Sequence, residues 1–133
     1  MTQSQLPDDV QELVNKIFGL AREGGAEAAQ TLKAYIDNGV DVDLANQDGN
    51  TLLMLAAYAG HEEVVQTLIE LGADVNRLNG RNQAPLAGAI FKKEDGVIEA
   101  LLAAGADPLA GTPSAVETAK MFARDDLVAR FEA

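Results

Sequence analysis

Few residues in this chain are equipped for chemistry, and their spacing narrows what they can do. His61 is the only histidine and no cysteine is present, which leaves no nitrogen and sulfur cluster for zinc, no thiolate nucleophile and no disulfide. A triad of histidine and nucleophile would have to be built around this one residue. It sits in a Gly60-His61 turn, where a structural hydrogen-bonding role outweighs general acid or base work. Asp41-Val42-Asp43-Leu44-Ala45-Asn46 begins like a calcium loop, with oxygen ligands at alternate positions. The match then breaks, because Ala45 stands at a ligand position, Asn46 replaces the turn glycine and Leu52 replaces the bidentate glutamate. Gly24-Gly25 and Gly80 belong to no Gly-x-Gly-x-x-Gly or Gly-Lys-Ser pattern and read as turns rather than phosphate cradles. Lys92-Lys93 is followed at once by Glu94-Asp95 and is too short for a nucleic-acid patch. The chain therefore carries no expected catalytic residue, metal site or cofactor.

With chemistry this sparse, the organisation of the elements carries the information. Val64, Val65, Leu68, Ile69 and Gly72-Ala73-Asp74 recur 33 residues later as Val97, Ile98, Leu101, Leu102 and Gly105-Ala106-Asp107. Apolar residues at i, i+1, i+4 and i+5 mark one helix face. Ahead of them, Asp48-Gly49-Asn50-Thr51 supplies a glycine turn and a threonine cap for a second short helix, Leu52 to Ala57.

This unit resembles the ankyrin repeat, whose period and Thr-Pro-Leu-His-x-Ala pattern it follows. Thr51-Leu52-Leu53-Met54-Leu55-Ala56 keeps the Thr, Leu and Ala; Ala84-Pro85-Leu86-Ala87-Gly88-Ala89 keeps the Pro, Leu and Ala. The resemblance implies an all-α solenoid of stacked helix-turn-helix units with projecting hairpin-like loops. One domain, 1–133, would hold repeats over 8–43, 44–76, 77–109 and 110–133. The first repeat is expected to open on a long helix carrying Val10, Leu13, Val14, Ile17, Phe18 and Ala21 on one face. In the fourth, aligning Ser114 with Thr51 sets Leu127 on Val64, Val128 on Val65 and Phe131 on Leu68, as in a capping unit. For His61, in the turn between paired helices, the family implies local hydrogen bonding.

Composition agrees. Hydrophobic residues make up 47% of the chain and aromatics 5%, as expected where thin helices stack over small side chains. The formal net charge of −11 repels phosphate backbones and anionic membranes, so nucleic acid and membrane are not expected partners. No stretch approaches the length of about 18 apolar residues that a span requires, and the amino terminus lacks a basic and apolar leader. A cytoplasmic monomer is the default expectation.

Function must then reside in surface side chains that the stack does not need. The resemblance implies a concave groove lined by the ends of the first helices, which places Arg22, Tyr58, Phe91 and Met121 at equivalent positions beside Glu23, Ala59, Lys92 and Phe122. Flanking loops add Gln47, Asp48 and Asn50, then Leu78, Arg81 and Gln83. Aromatic and arginine side chains are the usual interface anchors. Tyr58 and Phe91 have two possible homes, as neighbouring rings in the groove or as core between repeats. The expected activity is protein binding, as adaptor or inhibitor, and the acidic balance points to a partner with a basic patch.

Overall fold

The computed structural model describes residues 8–132, which contain eight helices in four pairs. These are α1 (Asp8–Glu23) with α2 (Ala26–Asp37), α3 (Leu52–Ala59) with α4 (Glu62–Glu70), α5 (Pro85–Phe91) with α6 (Asp95–Ala103), and α7 (Ala115–Met121) with α8 (Asp125–Phe131). A two- or three-residue turn closes each pair. Helices α1, α3, α5 and α7 pack side by side as a first layer, and α2, α4 and α6 form a second layer behind them. No helix among the described residues is long and apolar enough to cross a membrane.

Local chemistry sets the helix starts. Thr51 Oγ1 accepts the Met54 amide at the head of α3, and Pro85 opens α5 at a position whose amide needs no partner. Ser114 and Glu117 form a reciprocal capping box on α7. Leu32, Leu68 and Leu101 occupy one register position and are fully buried, while Phe131 continues the column half-buried. On α1 the apolar face is longer than its cover: Ile17, Phe18 and Ala21 are buried, whereas Val10 and Leu13 are exposed. The neighbouring α3 has 8 residues against 16 in α1, so among the described residues the first turns of α1 outrun the helix beside them.

Side chains bridge the loops at the same period. Asp43 Oδ1 accepts the Asp74 amide at 2.9 Å, and Asn76 Oδ1 accepts the Asp107 amide at 2.7 Å. At the opposite turns, His61 Nε2 lies 2.6 Å from the carbonyl oxygen of Arg22, 39 positions earlier in the preceding repeat, so its ring ties two repeats together where local bonding was expected. Its ring covers Gly24, where a Cβ would come within 2.2 Å of it. The fourth repeat is tied to the third through charge: Arg124 reaches Asp95 at 3.0 Å, and Arg130 holds Glu99 by two hydrogen bonds of 2.6 and 3.1 Å. The Arg130 hydrogen bonds keep the Glu99 carboxyl below its ordinary range.

The turn after each first-layer helix requires a left-handed residue. Gly60 meets this without strain, but the equivalent positions hold Lys93 at φ 62° and Ala123 at φ 56°. Ala123 is exposed, so glycine there removes steric strain without opening a cavity. Ala123→Gly is expected to stabilise the fold by about 0.5–1 kcal/mol, after the entropy cost of glycine is deducted. A thermal melt should rise by roughly 3 °C; an unchanged or lower midpoint would count against a strained turn.

Candidate functional site

The first-layer helices of the middle repeats carry no charged residue. The sequence of α3 is LLMLAAYA and that of α5 is PLAGAIF, while α7 adds Glu117 and Lys120. Seven acids of repeats two to four stand on the second helix of each pair, with Glu62, Glu63 and Glu70 on α4, Asp95 and Glu99 on α6, and Asp125 and Asp126 on α8, and most of the others lie in turns and loops. The first layer is therefore uncharged along α3 and α5, while α1 in the same layer carries Asp8, Asp9, Glu12 and Glu23.

A groove of about 390 Å³ opens on the apolar face across α3, α5 and α7. Tyr58, Gly88, Phe91 and Met121 form its walls and floor, Gln83 and Pro113 enter from the loops, and Lys92 stands at one side. Phe91 is 59% exposed and Met121 64%, unusual for large apolar side chains. The Phe91 ring meets Phe122 edge to face, with centroids 5.5 Å apart at 75°. The neighbouring rings are thus Phe91 and Phe122, not Tyr58 and Phe91.

Tyr58 belongs half to the core. Gly88 of the next repeat has no side chain, and the Tyr58 ring fills that space so closely that a Cβ on Gly88 would lie 1.9 Å from its Cε1. The Tyr58 hydroxyl is buried without a hydrogen-bond partner among the described residues, and burial pushes its pKa above the ordinary tyrosine range. Removing an unsatisfied buried hydroxyl loses no bond, so Tyr58→Phe is expected to melt at the same temperature or slightly higher near neutral pH. Alkaline pH separates the two proteins. As pH rises past about 10 the unfolded chain loses its Tyr58 proton before the folded one, and wild-type stability falls across that interval. Tyr58→Phe lacks this component, so parallel alkaline melts should diverge in its favour; superimposable curves would show that the hydroxyl is solvated.

The remaining residues named from the sequence divide between groove and frame. Phe91, Lys92, Met121 and Gln83 meet at the groove. Asn50 and Gln83 also serve the loops, because Asn79 Nδ2 donates to Asn50 Oδ1 at 2.8 Å and to Gln83 Oε1 at 2.7 Å. Gln47, Asp48, Leu78 and Arg81 are exposed on the connecting loops outside the groove lining. Arg22 is exposed on α1, with its carbonyl oxygen at the His61 ring. Pro113, Gly88 and the Phe122 partner ring complete the picture. Phe122 was visible in the sequence as the neighbour of Met121, whereas nothing in the one-dimensional pattern marked Gly88 as a seat for Tyr58.

Comparison with known proteins is consistent with this architecture. The family model described as ankyrin repeats (3 copies) matches residues 18–111. An ankyrin repeat protein of Pseudomonas aeruginosa is 40% identical over 69 residues, half of this chain and 39% of that relative. Ankyrin repeat domain-containing protein 29 of Homo sapiens is 45% identical over 58 residues, covering 43% of this chain and 18% of the relative. The chain spans well under two thirds of the length of either relative.

Proposed function

Since the chain belongs to the ankyrin-repeat family, we propose that it acts by binding a partner protein, as adaptor or inhibitor, through the groove of its first layer. The observation that carries this reading is the exposure of Phe91 and Met121 at the edge of a 390 Å³ recess whose surrounding helices are otherwise well packed. Exposed large apolar side chains beside a preformed recess are poorly explained by folding, because they stabilise nothing until covered. Covered by a partner, they become the buried aromatic and thioether anchors that dominate interface energies. Catalysis has no comparable support, since no cluster of titratable groups with converging geometry lines the recess.

The test uses the purified chain as bait in lysate of the source cell, with Phe91→Ala and Met121→Ala as parallel baits. Both side chains are exposed, so the variants should melt like the wild type. A captured protein should bind either variant about tenfold more weakly or worse in direct titration. Full affinity in both would move the site away from the groove.

A further inference from the structure

We infer that the segment occupying this groove carries a carboxylate beside its apolar anchor, so that the partner chain presents an Asp or Glu close to a large apolar residue. This rests on the binding role just proposed and specifies what is bound. Among the residues lining the groove, Lys92 alone is charged, and Lys93 follows it. Neither lysine forms an ion pair among the described residues, whereas Lys120 is paired with Glu132 at 3.3 Å and Arg124 with Asp95 and Asp126. Glu94, next in sequence, has its carboxylate against Gly60 and outside the groove lining, and Glu117, the one acid on the groove helices, is spent on the Ser114 amide in the α7 capping box. A ligand ammonium or guanidinium would find no carboxylate among the lining residues, and would face Lys92.

The net charge of −11 does not overrule this local arrangement. Charges more than about 8 Å away are largely screened at physiological salt, and the groove helices α3, α5 and α7 carry a single acid, Glu117, held in its capping box. An extended chain advances about 3.3 Å per residue, so a carboxylate within two or three positions of the anchor can reach the recess edge. The volume is within the usual range for a small binding pocket, which suits one or two large side chains rather than a broad flat surface.

Both lysines also stand at the negative end of α5, where a cation is favoured in any case. Selection of binders separates that structural benefit from recognition. The probe is a random twelve-residue peptide library displayed on phage, panned against the wild type, Lys92→Glu and Phe91→Ala, with a melt recorded for each. Wild-type binders should be enriched in a large apolar residue with Asp or Glu within three positions. Synthetic copies should bind about tenfold more weakly to Lys92→Glu, and panning on that variant should enrich Lys or Arg instead. Loss of melting temperature in Lys92→Glu with unchanged peptide selection would assign the lysine to α5 alone and overturn the inference. Binders that depend on Phe91 but carry basic residues would overturn it too, leaving the groove reading intact. Binders indifferent to Phe91→Ala, an absence of binders, or self-association of the wild type through this face would remove both.

Discussion

Leu101→Ala should cost about 2–5 kcal/mol of folding stability, the largest effect of any single change considered for this chain. Leu101 is fully buried at the register position shared with Leu32 and Leu68. It lies on α6, which packs against α4 of the preceding repeat and α5 of its own. Truncation removes apolar surface from two interfaces at once, and the short helices around it are each only a few turns long. A solenoid is stabilised by interfaces between neighbouring units, so a cavity between repeats weakens the coupling and not only one unit. Denaturant unfolding followed by circular dichroism measures the loss. A shift of less than about 1 kcal/mol would mean that the column of leucines is not the seam of the stack.

The second large effect is a contrast in sign between two helical glycines. Gly88→Ala puts a methyl group 1.9 Å from the Tyr58 ring, which is held between repeats and cannot yield freely. Overpacking should exceed the gain in helix propensity and leave a net loss of about 2 kcal/mol. Gly96→Ala meets an even shorter approach, 1.1 Å, but to Glu62 Oε1 at the tip of an exposed, flexible side chain. That carboxylate can swing into water, and alanine in the helix should then gain about 0.5–1 kcal/mol. Paired melts decide the matter. If both variants fall together, the Glu62 side chain is pinned over α6; if both rise, Tyr58 is not seated on Gly88.

The two glycines also show where sequence reading reaches its limit. Period, cap and core positions are properties of one chain segment repeated, so Leu68 over Leu101 and Thr51 ahead of its helix were legible from spacing alone. What a side chain rests on across a repeat boundary is not. Tyr58 and Phe91 hold equivalent places in the pattern, yet one ring is half-buried because its neighbour in space is Gly88, and the other is exposed beside Phe122. The role of Asn79 has no mark in the spacing either, because it depends on Asn50, which lies 29 positions away. The summed charge hid its own distribution as well. A value of −11 led to the expectation of a basic partner, and it could not reveal that the groove is bordered by lysine, with α3 and α5 uncharged beside it.

The absence of charge on α3 and α5 also separates two kinds of contact. Long-range attraction acts on the acids of α4, α6 and α8 and weakens as ionic strength rises. Apolar burial against Phe91 and Met121 has no such dependence, so salt loosens an encounter at the acids while leaving a side chain seated in the groove in place.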